Sequence, residues 1–349
     1  MTKPTIWIAA GGTGGHIYPA LAVAKTMRDA GWQVHWVGCK DALEHKICKA
    51  NAIQFWSIPS LKWRGLRHAF SWVNMFIKAM LQLKRIRRVI PADVVLCMGG
   101  YVALPTGIVS VITRTPLFIH EQNAVLGRTN RLLYSFIRSG FCAYPEVARS
   151  YPHLYQVGNP HSLPLQLHKR TFPSRSFKVL SLGGSQGAKQ LNALFAEAMV
   201  DKRLSHCEFW HVAGYQGQAM LALNDDTIKV STYLNDIQKA YEWADLVVIR
   251  CGAMTLTEVS VYGIPALLLP YQHAKDNHQH KNATFYIERG AALWCATSSD
   301  ALVQQIVQLS QDKDKYDLLA ENMYRLAPRS SSVECIMQHI DTILMSSMS

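Results

Sequence analysis

The eight cysteines of this 349-residue chain (Cys39, Cys48, Cys97, Cys142, Cys207, Cys251, Cys295 and Cys335) form no C-x-x-C pair and no close-set framework. That excludes a disulfide-stapled scaffold, and reduced cytosolic thiols are expected. The opening residues leave no room for a charged n-region, an apolar h-region and a cleavage site, so no secretory signal is expected. Neither G-x-G-x-x-G in the correct phase nor G-x-x-x-x-G-K-[ST] occurs, which leaves a dinucleotide fingerprint and a P-loop unsupported. The one D-x-D, Asp312-Lys313-Asp314, reads as a charged, solvated loop far from any glycine turn. His273, His278 and His280 lie close together, but their spacing fits no usual zinc pattern. No metal site and no cofactor are expected.

Two further absences are local. Residues 94–113 carry no charge over 20 positions, the nominal length of a membrane span. Gly99, Gly100, Pro105 and Gly107 punctuate the run, which predicts a buried strand, a glycine turn and a short helix instead. Residues 61–90 contain no acidic residue and eight Lys/Arg. They dominate a lopsided charge distribution, in which 1–160 holds 19 basic and 6 acidic residues and 161–349 holds 17 and 18. The net charge of +12 therefore belongs to the first half.

With 49% apolar and 17% charged residues, the chain is neither disordered nor collagen-like, and its length suits about two domains. An apolar run at 5–10 ends in GGTGGH and leads into helical spacing at 17–30. The same order returns at 178–182, GGSQGA and 190–200. Strand, glycine turn and helix open a nucleotide-binding α/β unit, and two openings half a chain apart predict two similar domains. Short apolar runs at 34–37, 93–97, 117–120, 209–212, 246–249 and 266–269 read as buried parallel strands. The proline-rich stretch 158–176 has linker composition. The domains are expected at 1–160 and 161–330, with a helix at about 331–349 able to pack back on the first.

Glycine turns at strand ends let backbone N–H groups approach a phosphate, reinforced by the helix dipole. Such turns occur at 11–16, 98–105 and 183–188. RCGAMTLTE at 250–258 opens a further helix, where N–H groups suit a diphosphate and Glu258 suits ribose hydroxyls; a merely well-capped helix is the alternative. HEQN at 120–123 closes a strand with polar residues costly in a core and useful in a cleft. His16 and Glu121 are the two candidate general bases, since histidine titrates near neutrality and glutamate does so once desolvated. In 61–90, Trp63, Phe70, Trp72, Val73, Met75, Phe76, Met80 and Leu83 lie between the cations. That is too apolar for a single core-facing stripe and suits the headgroup boundary of an anionic bilayer better than nucleic acid. Arg85, Arg87 and Arg88 are the cations expected to meet it.

GGTGGH, HEQN, VGNP at 157–160, GGSQGA, RCGAMTLTE and QHAKDNHQHKNA at 272–283 resemble, in order and spacing, the MurG family of peptidoglycan glycosyltransferases over essentially the whole chain. The resemblance implies the GT-B fold, two Rossmann-like α/β domains with parallel sheets facing across a cleft. It implies inverting, metal-independent transfer of GlcNAc from UDP-GlcNAc to the C4 hydroxyl of undecaprenyl-pyrophosphoryl-MurNAc-pentapeptide, giving the lipid-linked disaccharide of cell-wall synthesis. The enzyme would work at the cytoplasmic face of the inner membrane as a peripheral protein, with no nucleic-acid partner. Carried over, Thr13, Gly14, Gly15 and Asn123 would face the donor sugar and diphosphate, Ser185 the nucleotide and the Leu234 backbone the uracil. Ala253, Met254, Thr255, Leu256 and Thr257 would meet the phosphates, Glu258 the ribose and Gln279 the GlcNAc hydroxyls. This chain has Ser162 where the family usually has an arginine, and His278-Gln279 in place of paired glutamines. Two other readings stay open: a related GT-B enzyme of UDP-GlcNAc such as a 2-epimerase, and a non-enzymatic basic membrane-binding module.

Overall fold

The computed structural model describes residues 3–61, 65, 67, 69–163, 170–184, 187–234 and 236–348. The chain divides into two compact units, Met1–Ser162 together with Ser330–Ser349, and Leu163–Arg329.

In the first unit, β1 (Thr5–Ala10), β2 (Gln33–Cys39), β3 (Gln54–Ile58), β4 (Val94–Gly99), β5 (Leu117–Glu121), β6 (Gly140–Cys142) and β7 (Leu154–Gln156) form one parallel sheet ordered β3-β2-β1-β4-β5-β6-β7. The helices are α1 (Gly14–Asp29), α2 (Leu43–Ala50), α3 (Ala69–Val89), α4 (Ala103–Ile112), α5 (Arg128–Tyr134) and α6 (Pro145–Ser150). Helices cover parallel sheets on both faces, which is why β1, β4 and β5 are buried along their whole length and read as unbroken apolar runs. The uncharged stretch 94–113 becomes β4, a glycine turn and α4. Among the described residues no helix is long and apolar enough to cross a membrane.

The second unit repeats the plan. Here β8 (Phe177–Leu182), β9 (Cys207–Val212), β10 (Ile228–Ser231), β11 (Leu246–Ile249), β12 (Ala266–Leu268) and β13 (Ala292–Trp294) form a parallel sheet ordered β10-β9-β8-β11-β12-β13. Its helices are α7 (Lys189–Ala198), α8 (Ile237–Trp243), α9 (Ala253–Val261), α10 (His278–Ile287), α11 (Ser299–Gln311) and α12 (Lys313–Arg325). In each sheet the strand order reverses beside the first strand, at β1/β4 and at β8/β11. These are the topological switch points where open α/β sheets bind ligands, at the carboxyl ends of the strands. Both units are thus Rossmann-like, and a chain of two such domains has the GT-B fold class.

The last helix, α13 (Ser332–Met348), starts with the Ser331 hydroxyl capping the Glu334 N–H at 3.2 Å. It returns to the first unit, burying Val333, Ile336 and Ile340 in the same core as Ile6, Ile8, Ile17 and Val23. One expectation is corrected here. Asp312-Lys313-Asp314 is a helix start rather than a loop: the Asp312 carboxylate accepts the Lys315 N–H at 3.0 Å as the N-cap of α12.

Ile340→Ala should cost about 2–5 kcal/mol by opening a cavity in that core. Met345→Ala, at a position 73% exposed, should change stability by less than about 0.5 kcal/mol. Urea unfolding of the two variants, followed by tryptophan fluorescence, checks the contrast.

Candidate active site

At the first switch point the loops after β1 and β4 interlock through glycine. Gly99 and Gly100 both have positive φ, and a Cβ on Gly100 would lie 2.1 Å from the Gly11 carbonyl oxygen. Such contact between backbones is open to glycine alone. The same turn shifts the β1–β4 register between Ala9 and Ala10, so that Ala9 pairs Cys97, Ala10 pairs Gly99, and Met98 has no partner in β1. Thr13 is the N-cap of α1, and its side chain makes no capping bond. The first-turn N–H groups of Gly14 and Gly15 thereby keep the positive helix end available to an anion. His16 follows on the first turn, half-buried, with its ring against Gly99; a Cβ there would sit 2.8 Å from the ring's Cε1 and Nδ1.

The HEQN segment lies alongside, at the end of β5. His120, Glu121 and Gln122 are each 2% exposed or less. Their bonding is extensive, as buried polar groups require. Glu121 accepts four bonds: from the backbone and side-chain N–H of Asn123 at 3.0 and 3.1 Å on Oε1, and from the Gly127 N–H and Asn130 Nδ2 at 2.9 Å each on Oε2. A carboxylate whose oxygens are so occupied organises a loop and is poorly placed to take a proton from elsewhere. The His120 Nε2 bonds the Gly158 carbonyl at 3.0 Å, its Nδ1 meets Gln122 Nε2 at 3.1 Å, and Gln122 Nε2 also reaches the Met98 carbonyl at 3.0 Å. Gln122 Oε1 then meets His16 Nδ1 at 2.9 Å. Burial, helped by the neighbouring His16, pushes His120 from the ordinary 6.5 down to about 4, so its imidazole is neutral. Asn159 of VGNP donates to the Gln122 carbonyl at 3.1 Å, which explains why that motif accompanies HEQN.

At the second switch point, Gly252 is the N-cap of α9 and supplies no side-chain cap, leaving the helix start to the backbone. Ala253 and Thr255 lie on this first turn. Met254, Leu256 and Thr257 are buried, Leu256 completely, and the Thr257 hydroxyl donates to the Ala253 carbonyl at 3.0 Å. Any contact these three make with a phosphate would thus come from their backbone. Glu258 is half-buried one turn on, its Oε2 accepting the Tyr241 hydroxyl at 2.8 Å. Desolvation, only partly countered by that bond, raises the Glu258 carboxyl from 4.5 to about 7. Arg250 is spent on structure, donating to the Leu269 and Pro270 carbonyls at 3.1 Å each.

Leu234 lies half-buried in the connection from β10 to α8, on the carboxyl side of the sheet. Gln279 sits in the first turn of α10 and its Oε1 accepts the Tyr271 N–H at 2.8 Å, a bond that leaves its amide N–H groups unused. Ser185 lies outside the described residues. His273 packs against Tyr271 and His280 stacks on Trp294. Among the described residues no group of three or more His, Cys, Asp or Glu is arranged to hold a metal ion. His120 and Gln122 stand out in the sequence only as members of HEQN, with no individual role, and nothing in the sequence marks Asn130 or Tyr241. The polar run HEQN was the one available signal, because the partners that give it meaning are distant in the chain.

Residues 6–141 match the glycosyltransferase family 28 N-terminal domain and residues 178–338 the glycosyltransferase family 28 C-terminal domain. The chain belongs to glycosyltransferase family 28. A relative from Shewanella frigidimarina is 34% identical across 93% of this chain and 90% of its own length. It is named UDP-N-acetylglucosamine--N-acetylmuramyl-(pentapeptide) pyrophosphoryl-undecaprenol N-acetylglucosamine transferase. Among solved structures, MurG of Acinetobacter baumannii is 30% identical, with a TM-score of 0.79 over 99% of this chain and 100% of that one. A putative UDP-N-acetylglucosamine 2-epimerase from Listeria monocytogenes superposes with a TM-score of 0.72 over 99% of this chain and 98% of its own at 12% identity, a likeness of fold alone.

Because Glu258 titrates higher in the folded chain than unfolded, it adds stability below about pH 4.5 that is lost as pH rises through 7. Glu258→Gln should therefore raise the melting temperature of the ligand-free protein at pH 8 and leave it nearly unchanged at pH 4.5. Thermal melts at the two pH values check the sign.

Proposed function

We propose that this chain transfers N-acetylglucosamine from UDP-GlcNAc to the C4 hydroxyl of MurNAc in undecaprenyl-pyrophosphoryl-MurNAc-pentapeptide, with inversion at the anomeric carbon. The observation that carries the reading is identity of 34% along nine-tenths of both chains with a protein named for that reaction. The local geometry supplies the chemistry it needs. In a single displacement the acceptor oxygen attacks as UDP leaves, and negative charge grows on the diphosphate. The start of α9, with Ala253 and Thr255, offers N–H groups and a helix dipole to that charge. Glu258, held by Tyr241, accepts the ribose hydroxyls; Ser185 meets the nucleotide, the Leu234 backbone the uracil, and the Gln279 amide the sugar. Thr13, Gly14, Gly15 and Asn123 complete the donor side.

His16 is the base. Its Nε2 makes no bond to another described residue, whereas both oxygens of Glu121 are engaged in ordering Asn123, Gly127 and Asn130. Glu121 thus serves the reaction by shaping the loop that carries Asn123. With labelled UDP-GlcNAc and a lipid-linked muramyl acceptor, assayed with and without a divalent chelator, the wild-type chain should form the disaccharide lipid. His16→Ala and His16→Gln should lower kcat roughly 10²- to 10⁴-fold. Near-normal kcat in both variants would return the role of base to Glu121.

The first unit also brings the enzyme to its lipid substrate, as a peripheral protein on the cytoplasmic membrane face. Helix α3 buries only Ala79, Leu83 and Ile86 and exposes Phe70, Val73, Ile77 and Leu81 along one side. Lys78, Lys84, Arg85 and Arg88 are exposed on the same helix. An apolar stripe among cations suits an anionic headgroup layer. Trp63 lies outside the described residues. Arg87 differs from its neighbours: its guanidinium donates to the Thr115 hydroxyl at 2.9 and 3.2 Å and is partly buried. Replacing Lys84, Arg85 and Arg88 by Gln should weaken sedimentation with anionic vesicles roughly 10- to 100-fold at low salt and leave UDP affinity unchanged. Loss of UDP affinity in step with vesicle binding would instead mean a folding defect.

A further inference from the structure

We infer that Gln122, fixed by the Met98 carbonyl and by His120, is a positioning residue that holds His16 in the tautomer able to act as base. The inference rests on the proposed role of His16. The hydrogen bonds through Gln122 and His120 can run in one direction only, because they end on the Met98 and Gly158 carbonyls, which accept and never donate. The register shift leaves Met98 without a paired residue in β1, and the amide of Gln122 meets its carbonyl at 3.0 Å. An amide oxygen there would leave two acceptors facing one another in a buried place, so the NH₂ must point to Met98. That NH₂ also faces the His120 carbonyl at 3.3 Å and His120 Nδ1 at 3.1 Å. This nitrogen must accept, and the His120 proton must sit on Nε2, where the Gly158 carbonyl takes it at 3.0 Å. Both ends therefore agree on the orientation of the amide.

With the NH₂ so placed, Gln122 Oε1 faces His16 Nδ1 at 2.9 Å. An amide oxygen only accepts, so the His16 proton is held on Nδ1. In the neutral ring the lone pair is then on Nε2, the nitrogen that no other described residue engages. The hydrogen bond on one ring nitrogen sets the chemistry of the other. Gly99 adds a steric guide, since the absence of a Cβ there lets the imidazole lie against the backbone. The two support residues are almost fully buried, Gln122 at 1% and His120 at 0% exposure, so water does not compete for the bonds of Gln122 to Met98 and His120. Besides His120, the titratable side chains close to this loop are Tyr101 beside Gly12, Tyr18 beside Gly14 and Glu44 beside Gly11.

The direct test is nitrogen-resolved NMR of the full chain labelled at histidine, with the His16 signals assigned by their loss in His16→Gln. The wild-type ring should carry its proton on Nδ1, and Gln122→Met should release it to a mixture or to Nε2–H. In the disaccharide assay Gln122→Met should lower kcat at least roughly 10-fold with KM for UDP-GlcNAc within about twofold. Gln122→Glu, which keeps an acceptor facing His16 and makes it anionic, should favour the imidazolium and move the acid limb of the kcat–pH profile upward. A wild-type ring protonated on Nε2, or a tautomer and acid limb unmoved by both substitutions, overturns the inference even where kcat falls. Failure of the base assignment reads differently: His16→Gln would retain kcat, while the tautomer measurement would still report whether Gln122 orients the ring.

Discussion

Three consecutive polar side chains, His120, Glu121 and Gln122, are held out of water at the end of a central strand, and the first unit is built around satisfying them. An unmatched polar group in such a place costs about 1–3 kcal/mol. Their partners are accordingly drawn from four separate segments: Met98 after the register shift in β4, Asn123 to Asn130 in the following loop, Gly158 and Asn159 near the end of the unit, and His16 on α1. The requirement explains why the glycine turn, HEQN and VGNP occur together. Each supplies bonds that another lacks, and the side chain left at the edge of the network with an open nitrogen is the one assigned as base.

The second unit uses the same topology for a different task. Its switch point ends in a helix start with a glycine N-cap, a backbone device suited to a diphosphate, and the carboxyl on that helix that burial raises, Glu258, is paired with a buried tyrosine. The division of labour follows the charge. The first half carries the excess of cations, much of it on α3, whose apolar side is left uncovered in the unit. The second half is close to neutral, and the proposed function gives it the nucleotide sugar.

Much of this organisation was legible along the chain. The runs at 5–10 and 246–249 coincide with β1 and β11 to the residue, because a strand covered on both faces must be apolar throughout. The sharp turns could be found because only glycine tolerates them. Strands β6 and β7, at three residues each, are too short to give such a run, and β3 carries only intermediate burial for most of its length. Asp312 reads as a solvated charge until the helix it caps is seen, since a cap and a surface acid have the same composition.

For the site, sequence determined which residues were available: glycine turns at strand ends, His16 and Glu121 as proton carriers, Glu258 at a helix start, and cations between apolar residues in 61–90. Tertiary structure decided what each does. It tied the Glu121 oxygens to a loop, anchored Arg87 to Thr115 while leaving Arg85 and Arg88 exposed, and turned Leu256 into the core. It also linked His16 to a glutamine 106 residues away. The reason is physical: periodicity and composition report burial and backbone shape, which are local, whereas proton position and charge state depend on directional bonds between atoms that only the fold brings within 3 Å.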